Sequence, residues 1–304
     1  MAISRTQLVK ELEPGLNALF GLEYKRYENQ HAEIYVTESS DRAFEEEVML
    51  SGFANAQTKA EGQGVAFDSA QETYTARYTH DTIALAFAIT EEAIEDNLYD
   101  RISSRYTKAL ARSMSNAKQV KAVTPLIDGL PSTDGFDSGD GVSLFNTAHT
   151  TVSGTNVKNT LTTQADLNET SLEQSLIDIA AMTDERGLRI AARGVKMIVP
   201  SANQFTAERL MKSQGRTGTA DNDINAIGSM GMIPQGYRVN NYLTDSDAFY
   251  IITDVPNGMK MFQRAPLKTA MEGDFDTGNV RYKARERYSF GVSDYRGIFG
   301  VEGA

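Results

Sequence analysis

The chain has 304 residues, 40% of them apolar, with 30 basic and 41 acidic side chains and a formal net charge of −11. That length and apolar share support one large domain or two ordinary ones with a real core, and the acidic balance excludes general polyanion binding, so any nucleic-acid contact must be local. Cysteine is absent, which removes disulfides, thiolate zinc sites and a cysteine nucleophile, while no apolar run approaches the ~20 residues needed to span a bilayer and the N-terminus has no signal-peptide apolar region.

Residues 5–22 carry Leu8, Leu12, Leu16 and Leu19 at helical spacing, interrupted by Pro14 and Gly15. This predicts two short helical pieces on an N-terminal arm that needs something to pack on. Residues 33–50 read as extended, with Ile34, Tyr35 and Val36 followed by the acidic FEEEVML, and strand formers dominate 73–89. Between them SGFANAQTKAEGQGVAFD carries Gly52, Gly62 and Gly64 among small and polar residues, as the tip of a long β-excursion would.

After Thr90, a candidate N-cap, Glu91 and Glu92 complement the dipole of a helix start. Ile94, Leu98, Ile102, Tyr106, Leu110, Met114 and Ala117 then recur at helical spacing toward Val120 and Val123, and Pro125 is expected to stop the helix. About 30 residues at 1.5 Å rise give a rod of ~45 Å with one apolar face, fit to lie along a sheet. Residues 128–168 are rich in Gly, Ser, Thr, Asp and Asn and read as loops and short strands. A helix over 169–186, the strand VKMIVPS, the helix NQFTAERLMKS and a glycine-rich loop over 215–231 suggest a mixed α/β unit. Strands are expected at YRVNNYL, AFYIITD, KMFQRAPLKTAMEG and through the C-terminal RYKARERYSFGVSDYRGIFGVEGA.

Few residues suggest chemistry. His31, His80 and His149 are far apart and form no metal-binding helix pair. Asp221, Asp223 and Asn225 imitate the start of a calcium loop, but Ala226 and Met232 stand where glycine and glutamate belong. Gly62 and Gly64 open a G-x-G that Phe67 breaks, and no G-x-x-x-x-G-K-S/T segment occurs. Ser293 in GVSDYRG resembles a nucleophile elbow only until Tyr295 replaces the last glycine. The acidic clusters at Glu45 to Glu47 and at Asp274 and Asp276 offer paired carboxylates, more simply read as solvated faces or inter-subunit ion pairs. In RYKARERY, Arg281, Lys283, Arg285 and Arg287 share one face of a strand and Tyr282, Ala284, Glu286 and Tyr288 the other. Four like charges on one face call for an answer: solvent, acids such as Glu45 to Glu47 of a neighbouring subunit, or DNA phosphates.

The order of arm, β-excursion with glycine-rich tip, long amphipathic helix, α/β unit and strand-rich C-terminus resembles the α+β Hong Kong 97-like fold of tailed-bacteriophage major capsid proteins. LFNTAH, NQFTAERLMKS and SDYRGIFGV add sequence detail to that resemblance. It implies an N-arm at 1–30, an approach to the P-domain at 31–43, an extended E-loop hairpin at 44–88 and the P-domain spine helix at 89–135. Connecting loops and short strands follow at 136–166, then an axial A-domain at 167–262 and returning P-domain strands at 263–304.

The resemblance implies a shell subunit, not an enzyme, with no cofactor or metal. Hexamers and pentamers would enclose double-stranded DNA on their inner face, in a virion capsid assembled in the host cytoplasm. A scaffolding protein and a portal would serve assembly, and a decoration protein could bind outside. No long helical scaffolding extension precedes the arm, so the scaffold is expected as a separate protein or as an extension removed earlier. The tip residues Phe53, Lys59, Glu61 and Phe67 are expected to touch a neighbouring subunit, with Lys59 the candidate for a crosslink to a neighbour's asparagine. The basic strand residues Arg281, Lys283, Arg285 and Arg287 are expected to face a neighbour or DNA. An encapsulin-like compartment shell and, further off, a soluble α/β hydrolase or binding protein are the competing readings.

Overall fold

The computed structural model describes residues 5–90, 92, 99–133, 135–215, 223–274 and 278–304. Its first element departs from expectation. Helix α1 (Arg5–Arg26) runs unbroken through Pro14 instead of forming two pieces. A proline inside a helix removes one backbone hydrogen bond and crowds the preceding turn, at a cost of ~3 kcal/mol. Leu16 and Phe20, one turn apart and both buried, pack on Leu110, Ala111, Met114, Tyr282 and Ala284, a tertiary contact that anchors the helix just after the proline.

Helix α2 (Tyr99–Asp128) likewise continues past Pro125, which is itself buried. The expected start at Glu91, with Ile94 and Leu98, lies outside the described residues. The buried stripe of α2 also differs from the apolar one read from the sequence. Tyr106 and Val120 are exposed, whereas Ser103, Thr107, Ser115, Lys118 and Gln119 are buried alongside Leu110, Met114, Ala122, Val123 and Leu126. Lys118 and Gln119 serve a network described below.

One sheet has the order β1-β10-β11-β4, from β1 (Val36–Ser39), β4 (Asp81–Ile89), β10 (Met259–Gly273) and β11 (Val280–Val292). Strands β2 (Phe44–Leu50) and β3 (Glu72–Thr79) form a separate hairpin. The excursion expected over 44–88 therefore ends at Thr79. From Asp81 the chain pairs with β11 instead, because Ile83 and Phe87 on alternate positions pack on the α1–α2 side of that sheet. Irregularities in the β10–β11 ladder bracket Pro266, which has no N–H to give.

The second sheet has the order β12-β9-β7-β8, from β7 (Gly194–Pro200), β8 (Tyr237–Asn240), β9 (Phe249–Thr253) and β12 (Ile298–Val301). Helices α3 (Glu169–Ala180), α4 (Gln204–Lys212) and α5 (Ala226–Met230) accompany it, and β5 (His149–Thr150) and β6 (Asn156–Val157) make a short ribbon. α3 ends at Ala180, earlier than 186. Asn168 caps it, its side chain accepting from Ser171 N while Ser171 Oγ accepts from Asn168 N. The closing strand β12 does not return beside β10 and β11: it pairs with β9, through the turn Tyr295–Gly297, whose Gly297 lies so close to Gly258 that a Cβ on either would strike the other's backbone.

One continuous core joins the two sheets. Leu126 and Leu130 from the end of α2 and Leu144 and Phe145 from LFNTAH pack with Phe249, Tyr250, Ile298 and Phe299. Gly300 allows this, since a Cβ there would meet the Phe145 ring at 2.6 Å. Among the described residues no helix is long and apolar enough to cross a membrane.

Candidate assembly surfaces

The β2–β3 hairpin stands on a charged root. Glu47 on β2 receives Lys260 Nζ at 2.5 Å and the Ser293 hydroxyl, and Glu38 on β1 shares the same lysine at 3.1 Å. Tyr78 on β3 hydrogen-bonds Ser293, stacks edge-on against Phe262 at 4.7 Å and covers Gly291, where a Cβ would meet its ring. Burial works against the Lys260 charge, but the carboxylates of Glu47 and Glu38 outweigh it and hold its pKa above the usual lysine value. His80 closes the joint. Ser40 Oγ donates to Glu45, so His80 Nε2 donates to Ser40 at 2.9 Å and Nδ1 accepts from Ser289 Oγ at 3.0 Å. Burial, with the Arg287 charge, lowers the His80 pKa accordingly.

Beyond Leu50 the hairpin opens into its tip. Phe67 is 99% and Phe53 61% exposed, and Lys59 and Glu61 are exposed between them. With Phe44, Val48, Leu50 and Val65, the segment contributes six of the seventeen exposed large apolar side chains among the described residues. Among the described residues the tip is tethered at one point, where Arg186 donates to Ser69 O and lies 3.9 Å from Asp68.

The basic strand has the alternation read from its sequence. Arg281, Lys283 and Arg285 are exposed and Arg287 half-buried, while Tyr282, Ala284, Glu286 and Tyr288 are buried beneath α1 and α2. Glu286 meets Lys118 of α2 at 3.1 Å, and the Lys118 ammonium lies 5.0 Å over the Tyr288 ring. Beside this pair Gln119 fixes His31: its Oε1 accepts the His31 N–H at 2.9 Å, so its Nε2 donates to His31 Nδ1 at 3.0 Å. Burial, then the nearby Lys118 charge, lowers the His31 pKa to about 4. Burial raises that of Glu286. This is why α2 buries Lys118 and Gln119: they answer polar groups of β11 and of the joint after α1.

Residues considered for chemistry hold structural posts. Ser293 is buried and its hydroxyl is committed to Glu47. Ser138 and Asp140 lie near His149, but the serine donates to the carboxylate and not to the ring, so the order of contacts is Ser-Asp-His. His149 Nδ1 lies 2.6 Å from Asp140, Nε2 3.1 Å from Asn159 Oδ1, and the ring stacks on Tyr295 at 3.8 Å. Asn159 Nδ2 in turn donates to Leu144 O at 2.7 Å and Tyr295 O at 3.1 Å, which ties LFNTAH to the C-terminal turn. Asn225 caps α5 and donates to Leu210 O at 2.7 Å, while Asp221 and Asp276 lie outside the described residues. Among the described residues no three His, Asp or Glu side chains are grouped to hold a metal.

Sequence reasoning missed the root of the hairpin. Glu38, Glu47, Lys260 and Ser293 come from four separate segments, and only two of them drew notice, Glu47 as an acid for a neighbour and Ser293 as a nucleophile candidate. The signal available was the unusual FEEEVML strand, whose carboxylates needed local partners.

A hairpin outside the core, a long helix beneath one sheet and a second mixed α/β layer make up the Hong Kong 97-like capsid fold. Three solved structures share it over most of their length. The capsid of Myoviridae phage XM1 matches at 11% identity and TM-score 0.54, over 89% of this chain and 90% of that one. The procapsid of bacteriophage JBD30 matches at 13% and 0.55, over 99% and 77%. The virus-like particle from Pyrococcus furiosus matches at 8% and 0.51, over 94% and 98%. Identities this low speak for the fold alone, and no curated protein matches the chain in sequence. Residues 72–301, 230 of the 304, match the family described as phage capsid protein. The chain belongs to that family: it is a tailed-phage major capsid protein, a structural constituent of the virion shell.

Proposed function

We propose that copies of this chain form the hexamers and pentamers of an icosahedral shell around double-stranded phage DNA, in the host cytoplasm, with a scaffolding protein and a portal and without catalysis. In this reading 1–30 act as N-arm, the hairpin as E-loop, α2 with the first sheet as P-domain, and the second sheet with α3 to α5 as A-domain. The observation that carries it is the hairpin tip. Phe53, Val65 and Phe67, exposed on a tip with one tether among the described residues, lack cover within the subunit, and a copy-to-copy contact at Phe53, Lys59, Glu61 and Phe67 supplies it.

Negative-stain electron microscopy of the chain, alone and with scaffold, tests it. Closed particles, rings or capsomers are expected, and compact monomers under both conditions would overturn the reading. Nuclease-protected DNA in particles from infected cells is the matching test of the contents.

A further inference from the structure

Two arginines meet in a corner of the first sheet with no anion to answer them. The ladder between β10 and β11 pairs Gln263 with Tyr288 and then Ala265 with Arg287, so Arg264 lies in a bulge. On β11 Tyr288 turns toward α2, and Arg287 therefore turns to the opposite face. On β10 Lys260 and Phe262 lie across from Gly291 and Ser289 of that same face, and Arg264 follows them at the next alternate position. Arg264 and Ala265 together thus face Arg287, and the two guanidinium side chains share one patch of sheet.

The hairpin root walls this patch on one side. His80, fixed between Ser40 and Ser289, stands over it. Burial lowers the His80 pKa first, and the charges of Arg287 and Arg264 both add to that effect, which places the two arginines around one ring. Thr82 of β4 lies across from Arg287, and the Ser40 N–H donates to Gln263 O at 3.1 Å on the side of β1.

Both arginines are half-buried, and the Nε of each is shut off from solvent without a hydrogen-bond partner. Neither forms an ion pair among the described residues. Lys260 and Arg281, on the same face, are answered by Glu47 with Glu38 and by Asp274. The acid beside His80 is committed elsewhere, since Glu45 accepts from Ser40 Oγ at 2.7 Å and lies 4.0 Å from Arg42. Like charges brought together against a protein wall repel more than they would in water, and donors withdrawn from water without a partner add to the cost. Further along the basic row Arg285 and Lys283 are exposed, so solvent and salt screen them.

We infer that Arg264 and Arg287 form a binding site for one small oxoanion of the phosphate class. An arginine fork matches the oxygens of phosphate two at a time, and two forks converging on one ion answer both charges. The surroundings select a single small ion: the hairpin root closes one side, and the neighbouring Ala84 and Ala265 offer no side-chain donor to a longer ligand. The bound ion ties the bulge of β10 to β11 beside the joint from which the hairpin springs. The site lies complete within one subunit, so the inference stands apart from the shell reading.

The test is thermal unfolding of the full-length chain against inorganic phosphate, with chloride holding the ionic strength constant. Phosphate is expected to raise the melting temperature progressively, as a ligand of the folded state does. Arg264→Gln and Arg287→Gln each remove one fork and are expected to shift that response to at least about tenfold higher phosphate. In phosphate-free buffer both are expected to melt no lower than the wild type, because each relieves the repulsion. Arg264→Lys keeps the charge without the fork and is expected to respond between the wild type and Arg264→Gln. Arg285→Gln, the next position of the row, is expected to respond as the wild type does. An equal response in all these proteins is screening by salt and overturns the inference, as does no response in the wild type. Lower melting of both glutamine variants without phosphate also overturns it, since the arginines would then have a partner inside the chain. A duplex oligonucleotide forms the second arm: if it binds through Arg264 while inorganic phosphate gives no response, the site takes phosphodiesters and the assignment to a free ion fails.

Discussion

Helix α1 and the β2–β3 hairpin both stand outside the two four-stranded sheets, and the sequence indicated of each that it needs a surface to pack on. Their environments differ. α1 buries Leu16, Phe20 and Glu23 on its own subunit, and Asn17 Oδ1 accepts from Thr269 Oγ1 at 2.6 Å and from the Tyr282 hydroxyl at 2.8 Å. The hairpin is fixed at its root by Lys260, Ser293 and His80 and uncovered from Leu50 outward. An element at the edge of a subunit is thus not by position an assembly element. What separates the two is whether the apolar side chains find cover in the same chain.

The largest effect that could break this comparison is removal of the tip. Deleting residues 52–68 is expected to leave the subunit folded, with its melting temperature nearly unchanged, and to abolish closed particles in electron microscopy. Normal shells from that variant would refute the role given to the tip. The converse pair is Phe20→Ala and Phe67→Ala. Phe20 is 2% exposed, so its truncation is expected to destabilise the isolated subunit by about 3–5 kcal/mol in denaturant titration. Phe67→Ala is expected to shift stability by less than about 0.5 kcal/mol while lowering particle yield. A large stability loss from Phe67→Ala would place the tip in the core.

The buried Lys118–Glu286 pair tests how firmly α1 and α2 are joined to β11. Lys118→Met leaves Glu286 without its cation in a buried site and is expected to cost about 3–5 kcal/mol, and Lys118→Met with Glu286→Leu to recover much of it. A smaller, pH-dependent effect comes from His31. Its folded pKa of about 4 lies below the ordinary 6.5, so the fold favours the neutral ring. Its contribution is therefore complete above pH 6.5 and is lost as pH falls from there through about 4, roughly 3 kcal/mol in all. His31→Gln is expected to flatten the stability profile across that window, and an unchanged slope would mean that the joint after α1 is not what titrates.

Much of this was legible in the sequence because it depends on alternation or spacing alone. RYKARERY states its two faces, and the glycines of 52–64 announce a tip that cannot bury itself. The prolines misled, since Pro14 is followed by the buried Leu16 and Phe20 and Pro125 is itself buried between Val123 and Leu126, and packing overruled the local signal. The polar stripe of α2 was unreadable for another reason. Lys118 and Gln119 look solvent-facing until Glu286, some 168 positions away, and His31, 88 away, are brought against them. The turn of β4 away from the hairpin was hidden too, because its residues alternate as well for one partner strand as for another.

The root of the hairpin has a mechanical meaning. Glu47 is held by Lys260 on β10 and by Ser293 just past β11, and these two strands run the length of the sheet to the basic row at its far end. A load applied to the tip therefore enters the subunit through its two longest strands, along their axes and across a ladder of hydrogen bonds sheared together. The hairpin acts as a lever with a stiff mounting, and its compliance is confined to the stretch beyond Leu50.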